Sequence, residues 1–344
     1  MRKSYLLPGL IAAGAVALIA GQGCTSTTKN TSGAGGSGGT GVAATNAVTN
    51  GVTATQSSTS SSMVTDESTS CADAVVLEVT GQNQFEGDIY RLDDLVLGEP
   101  GDEDFFLIEV EAGSWWTFTD ANPDEIPENI DTVLSLYNAD GTELIAEVDD
   151  SFPRASTDSE LYHRFEEGGT YCIKIEEFSA WNGDPAEGGP NFIYAMIGIP
   201  IDFAKYPQSV DDVEPNENTT DADTNGLITV FSPQDTDQWF TNLLGGLDTA
   251  GDVDVYAFVA PTDAVGYSLD LTPSTPNNGY GSTGGPGLVS LLDGTGTLLS
   301  QLDNGAHEGL GGINANIVAG ETYYVQVERP AGSSPGSNDF YVLK

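Results

Sequence analysis

The sequence predicts an all-β protein in which one antiparallel sandwich or barrel is built twice. Two observations predict it. First, short segments with apolar residues at alternate places follow one another, separated by Gly, Pro, Asn and Asp turns, with no run of helical periodicity. Second, the segments recur in order. Gly101-Asp102-Glu103-Asp104-Phe105-Phe106-Leu107-Ile108-Glu109-Val110 returns as Gly251-Asp252-Val253-Asp254-Val255-Tyr256-Ala257-Phe258-Val259-Ala260. Leu134-Ser135-Leu136-Tyr137, followed by Asp140-Gly141-Thr142, returns as Val289-Ser290-Leu291-Leu292, followed by Thr295-Gly296-Thr297. Gly169-Thr170-Tyr171-Cys172-Ile173-Lys174-Ile175-Glu176 returns as Glu321-Thr322-Tyr323-Tyr324-Val325-Gln326-Val327-Glu328. Gly101 and Gly251 lie 150 residues apart, Leu134 and Val289 155, and Gly169 and Glu321 152. A tandem duplication accounts for the constant order and small drift. The period is far too long for a solenoid unit, so each copy is a domain.

In chain order, Met1-Arg2-Lys3 is a basic start and Leu6 to Ala20 is apolar. Spanning a bilayer takes roughly 20 residues, so this stretch reads as the hydrophobic region of a secretory signal, residues 1–23. It ends in Ala20-Gly21-Gln22-Gly23-Cys24, which resembles the lipobox of bacterial lipoproteins. The resemblance implies diacylation of Cys24 after cleavage and, with Thr25 in place of Asp, sorting to the outer membrane or cell surface. Residues 24–70 are almost entirely Ser, Thr, Gly, Ala and Asn. Nothing there can offset the entropy of ordering, so a disordered tether is expected. At ~5–6 Å × √n it reaches on the order of 40 Å.

Domain one runs from 71 to 202. Its expected strands are Ala74–Val79, Asp104–Val110, Trp115–Thr119, Thr132–Tyr137, Glu143–Val148, Thr170–Glu176 and Phe192–Ile199. Domain two runs from 211 to 344, with strands Leu227–Phe231, Val253–Val259, Tyr267–Leu271, Leu288–Leu292, Thr297–Leu302, Thr322–Glu328 and Asp339–Leu343. Leu243-Leu244 is too broken by Gly to make a helix. In an exported chain Cys71 and Cys172 are an even pair in an oxidising compartment, and a disulfide between them is expected. Cys172 alternates with Tyr171 and Ile173, so it faces away from the core and would staple the first strand across the outside or edge of a sheet.

The chain has 52 acidic and 10 basic residues, and no acid precedes Asp66. This surface repels nucleic acid and anionic lipid and suits divalent cations. Membrane contact is expected only through the lipid anchor. The two histidines, His163 and His307, are far apart in sequence, and no His-Glu-x-x-His site is present. No Gly-x-Ser-x-Gly elbow and no phosphate loop occurs. His163 beside Glu166 and Glu167 reads as a surface ion pair. Asp221-Ala222-Asp223-Thr224-Asn225-Gly226 copies the first half of an EF-hand loop, but place twelve is Ser232, and a polar turn before a strand is the preferred reading. Adjacent Trp115 and Trp116 send one ring outward. That ring either covers a sheet edge or the 122–129 loop, or serves with Trp181 and Tyr280 as a recognition surface.

Both domains resemble the bacterial pre-peptidase C-terminal domain. The matching pieces are Glu214-Pro215-Asn216-Glu217 at the head of domain two, the Gly-Asp-x-Asp strand in both copies, the Asp131-Thr132…Asp140-Gly141-Thr142 hairpin, Asp149-Asp150, and the Gly-Thr-Tyr closing strand. Domain one lacks the Glu-Pro-Asn head, and domain two has Asn304-Gly305 where the paired Asp would stand. The resemblance implies a jelly-roll-like β-sandwich. Related collagen-binding domains of clostridial collagenases hold calcium between such a head and the Gly-Asp-x-Asp turn. Carried over, this implies calcium at Glu214, Asn216, Glu217, Asp252 and Asp254, with only Asp102 and Asp104 matching in domain one. The alternative is that Asp102 and Asp252 form Asx-turns. The sequence thus describes a non-catalytic surface lipoprotein binding an extracellular polymer or protein; the alternative is an accessory factor of a secreted peptidase or a remote carboxylate-pair hydrolase.

Overall fold

The structure, a computed structural model, describes residues 68–83, 85–121, 130–149, 157–230, 241–246, 249–261, 267–272, 288–303, 312–329 and 340–343. The signal segment, Cys24, the tether up to residue 67, the 122–129 loop, Asp150, Tyr280, Asn304-Gly305 and His307 lie outside these residues; the last part of the expected tether is ordered, with Ser68 buried and its Oγ donating to Phe105 O at 3.1 Å.

The first half carries β1 (Val75–Val76), β2 (Val79–Gln82), β3 (Asp88–Val96), β4 (Glu103–Val110), β5 (Ser114–Ala121), β6 (Thr132–Asn138), β7 (Leu144–Val148), β8 (Glu160–Phe165), β9 (Gly169–Glu177), the short helix α1 (Phe178–Asn182) and β10 (Ile193–Ile201). The second half carries β11 (Ser209–Asp211), helix α2 (Thr219–Asn225), β12 (Asn242–Gly246), β13 (Val253–Val259), β14 (Tyr267–Thr272), β15 (Leu288–Asp293), β16 (Leu298–Asp303), β17 (Gly312–Ala315), β18 (Thr322–Glu328) and β19 (Phe340–Leu343). The all-β class stands. Among the described residues, strands pair only within their own half, as sheets β1-β4-β9-β6-β7 and β2-β3-β10-β5-β8, then β11-β12-β19-β14-β17 and β13-β18-β15-β16.

Alternation places the cores. In β4, Phe106, Ile108 and Val110 point between the first pair of sheets, to Phe118, Leu134, Ile173, Ile175, Tyr194 and Met196. In β13, Tyr256 and Phe258 do the same against Val289, Leu291, Val325, Val327 and Tyr341. The leading segments also correspond. Leu77 N donates to Leu107 O, and Ile228 N donates to Ala257 O, each at 2.8 Å. Both segments run parallel to their neighbour, through Val75↔Phe106 in the first copy and the single bridge Leu227↔Ala257 in the second.

Several elements differ from expectation. β3 was hidden because Asp93 and Asp94 form a bulge opposite Ala195; Asp94 has φ 59°, and the bulge brings both Leu92 and Leu95 to the core side. β12 is a strand despite its glycines. Gly245 is needed there, since a Cβ would meet the Tyr341 hydroxyl at 2.3 Å. The segment Asp221 to Asn225 is neither the polar turn preferred from the sequence nor an EF-hand-like loop. It lies in α2, whose first turn is capped by the Asn218 side chain accepting from Thr220 N and Asp221 N.

Trp116 is buried in the first core, as one of the adjacent pair must be. Trp115 faces outward from that core and is nevertheless only 6% exposed. Leu244, Phe340 and Val342 of the second sandwich cover it, with Tyr162, Ile201 and Phe203 completing the cluster. Its ring meets Phe340 edge-on at 5.0 Å. His163 is likewise no surface ion pair. It is 3% exposed between Phe165 and Phe340, and its Nδ1 has no partner. Burial pushes its pKa down to about 4. The outer face of β5 and β8 is thus an interface between the sandwiches.

Candidate functional site

The acidic residues singled out in the sequence fall into two groups. Asp102 and Asp252 close their own turns: Asp102 Oδ2 accepts from Gly98 N at 2.6 Å, and Asp252 Oδ2 accepts from Thr249 N at 3.2 Å. Both bonds run backward, to amides four and three residues earlier, so these acids staple the turns that precede them and do not form the Asx-turns expected. Glu217 is exposed on the surface. Asp104 is fully buried and accepts from the Tyr194 hydroxyl. Cys71 and Cys172 are joined as expected, and pack with Phe105 on the face of β4 and β9 that lies away from the core.

Glu214, Asn216 and Asp254 are brought together, and a residue passed over in the sequence joins them. Parallel pairing of β11 with β12 ends at Asp211↔Leu244 and delivers Asp212 to the top of β12, where Gly246 N donates to its Oδ2 at 3.3 Å. One carboxylate oxygen each of Asp212, Glu214 and Asp254 lie within 4.8 Å of one another. The Glu214–Pro215 peptide is cis. Asn216 N donates to Glu214 Oε2 at 3.2 Å, and Asn216 Nδ2 donates to Asp212. Val255 N fastens the segment by donating to Asn216 O at 2.8 Å. Asp212 was legible only as one more acid in Asp211-Asp212-Val213-Glu214, at the point where the domain boundary was drawn.

The electrostatics of this cluster are unbalanced. Asp254 is fully buried, and neither of its carboxylate oxygens has a hydrogen-bond donor. Asn216 is 2% exposed and its Oδ1 is also without a partner. Burial, and then the charge of Asp212, push the Asp254 carboxyl up to about 9. Tyr341 acts in the opposite direction, but its hydroxyl is engaged with that of Tyr256 at 2.6 Å. Burial also lifts Asp212 to about 6, and Glu214 adds to the rise. Three carboxylates, all hard donors, face one another with no cationic side chain among them, and the Asn216 side chain is hydrogen-bonded to one of the three. The chemistry of this set fits a hard divalent cation, which would satisfy the orphaned oxygens and compensate the charge.

No protein-family model and no curated protein matches the chain. Among solved structures it is similar to CorA, a surface-associated copper-binding protein of Methylomicrobium album BG8, at 9% identity over 37% of this chain and 99% of that one, with a TM-score of 0.22. It is similar to tripeptidyl peptidase 2 at 9% identity over 78% of this chain and 24% of that one, TM-score 0.22. It is also similar to the tandem CBM51 modules of a family 98 glycoside hydrolase from Streptococcus pneumoniae, at 9% identity over 75% and 82%, TM-score 0.22.

Proposed function

We propose that this chain is an exported, lipid-anchored, non-catalytic binding protein of two pre-peptidase-type β-sandwiches, the second held by a calcium ion at Asp212, Glu214, Asn216 and Asp254. The observation that carries the calcium reading is Asp254: a fully buried carboxylate with no donor on either oxygen, facing two more carboxylates. Burying such a group unpaired is costly, and a bound divalent cation removes the cost. In this reading Asp254 and Asn216 form the buried back of the site and Asp212 and Glu214 its outer side. Among the described residues, the two cysteines are tied in a disulfide and His163 is enclosed by aromatic rings, so these three side chains serve the fold.

Calorimetry of the full chain in calcium and in chelator tests the ion. Calcium should raise the melting temperature, and Asp254→Asn should remove the difference. Superimposable melts with and without chelator would reject the site. Mass spectrometry of the mature protein should find an acylated Cys24 at the N-terminus; a free amine elsewhere rejects the anchor.

A further inference from the structure

The cation cluster does not sit on an open surface. Asp212 and Glu214 also line a half-open cavity of about 670 Å³ where the two sandwiches meet. Small-molecule sites span roughly 300–1,000 Å³, so the cavity has room for a ligand. Its other walls come from both halves: Arg164 and Trp115 from the first sandwich, Asp211 and Leu244 from the second, and Phe203 from the linker. A cation held by the cluster would have the buried Asp254 and Asn216 behind it and the cavity in front.

Coordination then decides what the cavity sees. Calcium takes about 6–8 oxygens, and the four side chains supply four when each binds through a single oxygen. The remaining positions face the cavity and fall to water or to oxygens of a ligand. Elsewhere in the lining, Arg164 is a donor and Asp211 an acceptor. Burial raises the Asp211 carboxyl, and the Arg164 charge acts against that rise. A ligand that fills this space needs oxygens for the metal and both donors and acceptors for the rest of the lining.

Charge narrows the class. The chain's net charge of −42 repels anions. A basic ligand would compete with the metal for Asp212 and Glu214 rather than bind with it. A neutral polyol meets every condition, since adjacent hydroxyls can coordinate the metal and donate to and accept from side chains. The ring faces are taken: Phe340 lies against Trp115, and Arg164 sits over that ring, 6.0 Å from its centroid. Recognition by hydroxyl coordination therefore outweighs recognition by stacking.

We propose that the junction cavity binds a neutral saccharide, through adjacent hydroxyls coordinated to the metal at Asp212, Glu214 and Asp254 and through hydrogen bonds to Arg164 and Asp211. The proposal rests on the calcium reading above, and the test separates the two. The full chain is applied to immobilised neutral oligosaccharides of the glucose, galactose, mannose, xylose and fucose series, in calcium and in chelator, beside calorimetry of calcium binding. Saturable retention should appear in at least one series and fall at least tenfold in chelator. Arg164→Gln should keep the calcium-dependent melt and lose at least tenfold in retention; Asp212→Asn should lose both. If calcium stabilises the protein and no series is retained, or retention ignores chelator or Arg164→Gln, the saccharide site is wrong and the calcium reading stands. If calcium has no effect on the melt, both fall. A tetralysine peptide that binds in chelator and is displaced by calcium would assign the cavity to cationic ligands and overturn the proposal.

Discussion

In the first sandwich the leading segment is tied to β9 by the Cys71–Cys172 bond; in the second, α2 is tied to β18 by the Tyr324 hydroxyl donating to Asp223 at 2.9 Å. These are the same place in the two copies. Cys172 sits opposite Leu107, and Tyr324 sits opposite Ala257, the two residues whose carbonyls receive the leading segments. The buried acids diverge in the same way. Asp104 accepts from Tyr194 of β10, beside Phe106. The second copy has Tyr256 where the first has Phe106, and Tyr256 takes the hydroxyl of Tyr341, the β19 counterpart of Tyr194. Asp254 is left without its donor and meets Asp212 and Glu214 instead. On the outer face, Ser135–Glu147 and Lys174–Glu176 recur as Ser290–Gln301 and Gln326–Glu328. Duplication kept the strand geometry, while the chemistry fastening each piece to it changed.

The comparison breaks most visibly at the clamp. The disulfide closes a loop with a sequence separation of 101 residues. By the chain-entropy model such a loop contributes up to ~4–5 kcal/mol. Replacing both cysteines with Ala should therefore lower stability by as much as that amount. Hydrogen exchange should locate the loss in Glu103–Val110 and its neighbours. Equal loss of protection in Val253–Val259 would show that the copies do not hold their leading segments independently.

The buried acids give the next largest effect. At a calcium concentration of 1,000 Kd the ion adds about 4 kcal/mol. Asp254→Asn should abolish that response. Asp104→Ala should leave it intact and cost about 1–3 kcal/mol by leaving the buried Tyr194 hydroxyl without its acceptor. Without the ion, Asp212 at about 6 and Asp254 at about 9 lie above their unfolded values. A raised carboxyl favours the folded state at low pH and loses that contribution as pH rises through the folded value. Calcium's stabilisation should accordingly grow from about pH 4 toward pH 9. A calcium increment that is flat across this window, or that responds to Asp104→Ala, would erase the distinction between the copies.

What was legible in the sequence followed from period two. The strands whose side chains alternate cleanly, such as Val253–Val259 and Thr322–Glu328, lie where the pattern puts them. So does the outward-facing cysteine. Strands that break the alternation did not show themselves: β3 carries a bulge at Asp93 and Asp94, and β12 carries paired glycines where Tyr341 needs room. The site was half legible. Glu214, Asn216 and Asp254 came from motif resemblance, whereas Asp212 reaches them only through the β11–β12 pairing, a tertiary contact with no local signature. The burial of Trp115 and His163 by Phe340 could not be read at all, because one sandwich supplies the cover for the other.

That cover yields a pH effect confined to the first copy's outer face. His163 has a folded value of about 4 against an ordinary 6.5. A depressed histidine contributes fully above its unfolded value and loses that contribution as pH falls toward the folded one. The gap corresponds to about 3 kcal/mol, lost between pH ~6.5 and ~4. His163→Leu should flatten the slope of unfolding free energy against pH over that interval by about one proton, relative to the wild type. Arg164 and Glu160 are its charged strand neighbours, and Glu160 accepts from Tyr162 at 3.0 Å. The variant therefore has to be compared at matched ionic strength. Identical slopes would mean that the ring is hydrated and the interface looser than its contacts imply.

The smallest effect returns to the clamp. Tyr324→Phe removes only the hydroxyl that Asp223 accepts, at a partly exposed site. A hydrogen bond of this kind is worth about 1 kcal/mol. The loss should appear as faster hydrogen exchange in Thr219–Asn225, with little change elsewhere, since α2 is also held by its Asn218 cap and by Asn225 donating to Val213 O at 2.6 Å. Unchanged exchange in Thr219–Asn225 would show that this hydroxyl does not fasten α2 as the disulfide fastens the first leading segment.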